Sequence, residues 1–528
     1  MSGRLGIDFG TSNTVLALWD SKSQQGQPLH IPEYGQSWNQ DGETISVIPS
    51  LVNYSPDGRI WIGEQVLRRD LIQSPRTFRW IKRYISQRSP YHIRIDEREV
   101  TPYQAGQDFL TAVFASAMAE IDFNEEEIAL SVPVEAFEHY EDWLTSIASQ
   151  AGMPRFRLID EPSAAALGYG AHIQPGSVYL IFDFGGGTMH ASVILIEAEE
   201  QAESGRRCRV LGKAGRDLGG TSIDQWLFQE ILRQNHLTDD MSLVRKASLA
   251  LLQHCQQIKE QLSMAESASF QMDPASGLNL NAEFTRASFE ELLDRFDFYT
   301  TINQLVRQAL AGALERGYRE EDIRAVLMVG GSSQIPSVQR TLRQIFGRDK
   351  VMSNRPLDAV ARGAAAFVSG VDFYDHIQHD YAIRYIDPTL GQYCYRTIVQ
   401  HGTPYPTGAP VTRLSIKASH ANQEHLGIAI FEIGSQVESS SSTLELVFDQ
   451  TGAARISSIS PHEQEQRLRF WMNEHNPTFL SAALPVLKGE PRFEVEFGID
   501  LNKRLTLSAR DLVTGQLALK NHPVVKLV

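Results

Sequence analysis

Two glycine-rich turns of one design stand far apart in this chain and constrain its fold more than any other feature. They are Leu5-Gly6-Ile7-Asp8-Phe9-Gly10-Thr11-Ser12-Asn13 and Leu180-Ile181-Phe182-Asp183-Phe184-Gly185-Gly186-Gly187-Thr188. In each, an apolar strand runs into an aspartate and then into glycines, which take positive φ without steric cost and let backbone N–H groups surround an anion. Thr11, Ser12 and Thr188 add hydroxyls for phosphate oxygens. Asp8 and Asp183 could each hold a water of hydrated Mg2+, an ion that keeps several waters and takes few carboxylates. A single turn of this kind is compatible with an ordinary hairpin. Two copies, each after a strand-like run and separated by most of a domain, predict a duplicated fold with a nucleotide held between the halves.

The 528 residues suffice for two or three domains, and 42% hydrophobic content describes a soluble globular protein. No segment approaches a membrane span, and the first strand begins too early for a cleavable signal peptide to precede it. Cys208, Cys255 and Cys394 have no paired spacing for zinc or a disulfide framework, so the expected location is cytoplasmic. A formal charge of -15 argues against binding to nucleic acid or anionic membranes. On residue type alone, the local cluster Arg79, Lys82 and Arg83 reads as a solvated cationic face.

From Arg4 to about Gly170 strands and helices mix. Tyr103 to about Ile121 reads as a helix, and Ile128 to Val132 as a buried strand stopped by Pro133. The same grammar repeats from about Ser177 to Ser369, where Ser242 to Ser263 carries the stripe Leu243, Ala247, Ala250, Leu251, Cys255, Ile258 and Leu262 of an amphipathic helix. Beyond Val371 the pattern turns all-β. Leu414–Lys417, Leu444–Leu446, Phe493–Phe497 and Leu505–Ser508 alternate apolar and polar residues, with a hairpin connection expected within Gly498 to Lys503. The serine run Ser439 to Ser442 and the charged stretch Pro461 to Asn476 read as a loop or an insertion carrying a short helix.

The order of motifs resembles the 70-kilodalton heat-shock (DnaK-type) chaperone family. Besides the two turns, the chain contains Ile48-Pro49-Ser50, Ile81-Lys82-Arg83-Tyr84-Ile85, Val132-Pro133, Asp160-Glu161-Pro162-Ser163-Ala164-Ala165-Ala166, Leu218-Gly219-Gly220, Val329-Gly330-Gly331-Ser332-Ser333-Gln334-Ile335-Pro336 and Asp358-Ala359-Val360-Ala361-Arg362-Gly363-Ala364-Ala365. The resemblance implies an α/β actin-like ATPase fold of duplicated ribonuclease-H-like halves, about 1–172 and 173–370. A linker at 371–380 and an all-β sandwich-like domain at 381–528, without the family's helical lid, would follow. It further implies ATP or ADP with Mg2+ as cofactors, and K+ as a further candidate.

Carried over by position, Lys82 would orient the attacking water and offset charge at the γ-phosphate, and Glu161 would position water or act as a weak base. Asp183 and Thr188 complete the catalytic set, with Asp8 and Asp183 holding the metal through water. Gly10, Thr11, Ser12, Asn13, Gly185, Gly186, Gly187, Gly219, Gly220, Gly330, Gly331, Ser332, Gln334 and Asp358 would surround the nucleotide, with Lys259 and Ser263 contacting its adenosine. Each has a plainer reading: Glu161 as a helix N-terminal acid, Gly330-Gly331 as a turn, Lys259 and Ser263 as the polar flank of an amphipathic helix.

Several positions depart from the family pattern. His190 stands where the family has an aspartate, which predicts slower hydrolysis; Gln334 replaces an adenine-stacking arginine and Gln256 a glutamate, which predicts weaker nucleotide binding. Thr221 and Ser222 follow Gly220 where acids are common. Glu141 reverses the charge of an arginine paired with the switch proline, and Val371–Ile377 replaces an apolar linker, which puts coupling between ATP and peptide in doubt. The reading that follows is a weak ATPase with chaperone-like binding of unfolded or extended polypeptides, served by a J-domain co-chaperone and a nucleotide exchange factor. The alternative is a nucleotide-dependent sensor or scaffold with little turnover that binds a dedicated partner. A sugar kinase or an actin-type filament on the same ATPase fold is disfavoured by Tyr381–Val528.

Overall fold

The computed structural model describes residues 4–40, 43–96, 98–121, 127–133, 138–153, 156–170, 174–196, 208–272, 280–369, 373–374, 377, 379–387, 392–403, 405, 407–433, 444–448, 454–458, 469–474, 477–482, 486–500 and 503–527. These form two compact units, one built mainly from residues 1–134 and 143–374, the other mainly from 375–440 and 460–528.

The first unit contains two sheets built to one plan. In the first, the strand Leu5–Phe9 runs antiparallel to Asn13–Asp20 and parallel to Ile128–Val132. Phe156–Asp160 continues the parallel side, and Glu43–Pro49 with Gln36–Gln40 extends the other. In the second, Val178–Phe184 runs antiparallel to Met189–Ile196 and parallel to Ile323–Val329, with Val351–Met352 beyond it and Cys208–Arg216 and Phe373–Tyr374 on the opposite side. Each glycine turn thus joins two neighbouring antiparallel strands of its sheet, which is the duplication that the paired motifs predict. Both leading strands are buried on both faces, and their continuous apolar runs follow from that placement.

The expected helices form close to their predicted bounds. Pro102–Glu120 starts at Thr101, whose side chain accepts from the Gln104 N–H at 3.3 Å, and Ser242–Met264 buries Val244, Ala247, Leu251, Cys255, Ile258 and Leu262. Two short helices rich in small residues, Glu161–Gly168 and Ala359–Phe367, pack against each other in the core. Gly363 allows that crossing: a Cβ there would strike the carbonyl of Ala164. The crossing matters for the site, because Glu161 opens the first of these helices.

The second unit is a sandwich of antiparallel strands. One sheet has the order Tyr393–Val399, Asp380–Ile386, Ile430–Ile433, Arg469–Trp471; the other, Thr412–Lys417, Pro491–Ile499, Arg504–Asp511, Leu517–Lys526. Tyr381, Ile383 and Ile398 from one sheet share a core with Leu414, Val495, Phe497, Leu505 and Leu507 from the other. Three of the strands expected from alternation are adjacent here, joined by a turn in which the Lys503 N–H donates to Asp500. The first turn of the helix Glu138–Gln150 groups with this unit, and there Glu141 lies 3.6 Å from the ammonium of Lys526. Its reversed charge has a cationic counterpart.

Two expectations need correction. Leu444–Phe448 does form a strand, but it pairs with Ala454–Ser458 in a separate hairpin that groups with the first unit, so it belongs to neither sheet of the sandwich. Within the charged stretch the described residues Arg469–Trp471 are a strand rather than a helix, while 461–468 and the serine run lie outside the described residues. Alternation identified strands but carried no information on which sheet would receive them.

Candidate nucleotide site

The two glycine turns meet. A Cβ on Gly187 would come within 2.6 Å of the Thr11 hydroxyl oxygen, and one on Gly186 would strike Ser12. Side chains there would fill the space in which both loops present their N–H groups, so the cradle fits a phosphate chain. The first loop is braced from behind by the Ile48-Pro49-Ser50 segment: Ser50 donates from its hydroxyl to the Gly10 carbonyl at 2.8 Å and from its N–H to the Ser12 carbonyl at 2.9 Å. Asn13 begins the outgoing strand opposite Pro49.

The second loop is braced by the other glycine motifs. The N–H of Gly220 donates to the Gly185 carbonyl at 3.0 Å and that of Thr221 to Gly186 at 2.8 Å, while the Ser332 hydroxyl donates to Gly185 at 2.9 Å. A Cβ on Gly219 would collide with the Gly186 backbone. Gly330 has φ +81° and abuts the Phe184 carbonyl, while Gly331 is exposed. The Gly219-Gly220 and Gly330-to-Ser332 segments therefore set the shape of the second glycine loop, and Thr188 closes it by accepting from the Gly185 N–H at 3.1 Å.

Around these loops the structure gathers charge. Lys82 donates from its ammonium to a Glu161 carboxylate oxygen, and both side chains are buried. The neighbouring Asp160 caps the same helix, accepting from the Ser163 N–H at 3.0 Å, and its other oxygen lies 3.6 Å from Lys213. Glu161 is thus both a helix N-terminal acid and the partner of Lys82. Asp8 accepts from the Ser131 hydroxyl at 2.7 Å. Burial pushes the Asp8 carboxyl up to about 6 against the pull of Lys82, and burial together with Glu161 and Asp8 pushes Asp183 well above the usual carboxylate range. Two buried acids, Glu161 and Asp183, and the half-buried Asp8 around one ammonium form a donor set that a divalent cation would relieve, and Mg2+ held by Asp8 and Asp183 through water fits it.

The solvated-face reading of the basic cluster fails, because Arg79, Lys82 and Arg83 are all less than 10% exposed. Arg79 donates to the Ile72 carbonyl, and Arg83 reaches the Thr221 hydroxyl in the second half. Closeness in sequence says nothing about burial when Lys82 and Arg83 each have a distant partner.

His190 is buried and stands directly across the hairpin from Asp183. Burial pushes its imidazole down to about 4, so the ring is neutral, and neither nitrogen has a hydrogen-bond partner among the described residues. Ligand atoms of Glu161, Asp183 and His190 lie within 4.8 Å of one another.

On the helix Ser242–Met264, Lys259 donates to the Gly220 carbonyl at 3.0 Å and pairs with Asp224 at 2.8 Å. Ser263, one turn on, gives its hydroxyl hydrogen to the Lys259 carbonyl at 3.0 Å, which leaves its oxygen able to accept. Gln334 is exposed beside Ile335, and the Gln256 amide donates to Glu260 at 2.8 Å. Asp358 is 1% exposed and its carboxylate is taken by Arg362, which also reaches Gly26 and Glu43. The Arg362 guanidinium thereby anchors the core helix to the first sheet.

Sequence reasoning missed Ser131, Lys213, Asp224 and Arg362. The last two carried a usable signal: Asp224 lies one helical turn after Gly220, and Arg362 sits at i+4 from Asp358. Ser131 and Lys213 reach the site from separate strands, which no local spacing reports.

A family model described as Hsp70 protein matches residues 4–445 of this chain. The chain is also similar to a chaperone protein DnaK from Deinococcus proteolyticus, at 26% identity over 552 aligned positions covering 98% of this chain and 78% of that relative. No helix among the described residues is long and apolar enough to cross a membrane.

Proposed function

Because the chain belongs to the Hsp70 family, with an actin-like ATPase fold and an ATP-binding, chaperone-type function, we propose that it hydrolyses ATP slowly and binds unfolded or extended polypeptide through its second unit. The observation that carries the reading is the buried Lys82–Glu161 pair set beside two glycine loops that each follow an aspartate. The loops would bind and orient the phosphates. Lys82 would hold the attacking water and offset charge at the γ-phosphate, and Glu161, already bonded to it, would fix that ammonium and order nearby water. Bound Mg2+ would neutralise phosphate charge, held through water by Asp8 and Asp183. Thr188 would place its hydroxyl at the phosphate.

His190 supports slow turnover. A neutral imidazole replaces an acid where a second cation such as K+ would need hard oxygen donors. The same observation favours the second reading, a nucleotide-dependent sensor or scaffold with a dedicated partner.

For polypeptide binding, the sandwich offers strand edges and exposed apolar side chains, among them Tyr385, Ile386, Tyr393 and Phe479. An extended segment could add to an edge by main-chain hydrogen bonds while pockets read alternate side chains. A J-domain co-chaperone and a nucleotide exchange factor are the partners this reading implies, in the cytoplasm. The test is single-turnover ATP hydrolysis alongside release of a labelled unfolded peptide with and without ATP. Turnover above buffer and an ATP-dependent off-rate support the chaperone; nucleotide binding with neither leaves the sensor.

A further inference from the structure

His190 is the least explained side chain of the cleft. A buried imidazole whose two nitrogens have no partner among the described residues costs stability, and buried polar groups are nearly always partnered. Its register opposite Asp183 puts both side chains on one face of the hairpin, and Glu161 completes a group whose ligand atoms all lie within 4.8 Å.

We infer that Glu161, Asp183 and His190 form a direct-coordination site for a first-row transition divalent cation of the Mn2+, Fe2+ or Zn2+ class, distinct in its bonding from Mg2+ held through water. Imidazole suits Zn2+ and Fe2+ far better than Mg2+, and a set of two carboxylates and one histidine leaves positions open for water or phosphate oxygens. Metal–ligand bonds of about 2.0–2.2 Å place three ligands of one ion roughly 3.3–3.7 Å apart, so side chains spread over as much as 4.8 Å close by up to about 1 Å on binding. The charges around it favour such an ion. Glu161, Asp183 and the nearby Asp8 are acids, against Lys82 on one Glu161 oxygen and Lys213, which lies on the Asp160 side. The other Glu161 oxygen stays available, and a divalent ion would offset the negative charge of the acids gathered there. The site needs no nucleotide, so it goes beyond the ATPase reading.

The test uses Co2+ as a spectroscopic probe on the full, nucleotide-free chain stripped of metal, in excess Mg2+. Wild type should develop visible d–d absorption that saturates at one equivalent and is displaced by Zn2+. His190→Ala should weaken Co2+ binding by about tenfold or more. His190→Asp, which keeps a ligand of another chemistry, should lose the preference for Co2+ over Mg2+; it serves in place of His190→Ala if that variant fails to melt cooperatively. No saturable band in wild type, or equal Co2+ affinity in the histidine variants, overturns the inference. Binding of a fluorescent ATP analogue with Mg2+ alone is measured on wild type in parallel. Nucleotide binding without a histidine-dependent Co2+ site refutes the metal inference alone, whereas a Co2+ site without nucleotide binding refutes the ATPase reading alone.

Discussion

Lys82 and Glu161 lie 79 residues apart in sequence and share a buried hydrogen-bonded ion pair, their side chains 8% and 7% exposed. Removing one member of such a pair leaves an uncompensated charge, which typically costs about 3–5 kcal/mol. Lys82→Ala is therefore expected to lower both stability and ATP turnover, the latter by about 100-fold. In Lys82→Ala/Glu161→Gln the charge penalty is gone, so urea denaturation should return most of the lost stability while turnover stays low. A double variant that melts no higher than the single one would show that packing, not charge, sets the cost.

Gly330 and Gly331 are adjacent yet should behave differently. Gly330 has φ +81° against the Phe184 backbone, so Gly330→Ala is expected to destabilise by about 2 kcal/mol or more. Gly331 has ordinary space, with its nearest contact the Leu357 side chain at 3.5 Å. Gly331→Ala should leave the melting temperature nearly unchanged and weaken nucleotide binding, measured by titration calorimetry. Equal losses of stability in both would contradict this division.

Gln334 is exposed and uncharged at the position where an arginine would stack on adenine. Gln334→Arg should tighten ATP binding by about 0.5–1 kcal/mol through a cation–π contact, with little gain for a nucleotide lacking a purine. A gain shared by inorganic triphosphate would instead indicate simple electrostatic attraction.

Glu230 ties two helices together. It accepts from Arg233 at 2.7 Å and 2.9 Å, and from Arg295 at 3.0 Å on the helix Arg286–Arg295. Hydrogen bonds from Arg233, then Gln234 and Arg295, hold its carboxyl at about 2 instead of 4.5. A depressed acid stabilises the fold above its unfolded value and loses that contribution as pH falls from 4.5 towards 2. Both arginines are more than half exposed, so screening limits the effect to about 1 kcal/mol. Chemical denaturation should show Glu230→Gln less stable than wild type at neutral pH, with the gap closing towards pH 2. A gap unchanged by acid would exclude ionisation as its source.

The glycine turns, the helix Ser242–Met264 and the strands around Phe493 and Leu505 were legible in sequence because each signal lies within a single window. Turn chemistry, 3.6-residue periodicity and alternation are properties of neighbours along the chain. The pairing of the two turns into one clamp was legible too, since the motif repeats.

Burial of charge was not. Arg79, Lys82 and Arg83 are closely spaced cations that the sequence makes look solvated, and only the fold supplies Glu161 and Thr221 as partners of the last two. The same holds for the hairpin Leu444–Phe448, whose alternation is genuine but whose sheet is not the sandwich. By itself the sequence determined the two glycine loops and the family to which they belong. Tertiary structure decided that His190 faces Asp183 and Glu161 with no hydrogen-bond partner among the described residues, because strand register and helix crossing bring together groups from distant segments. Whether an ionisable side chain is charged depends on those distant neighbours, not on the residues beside it in the chain.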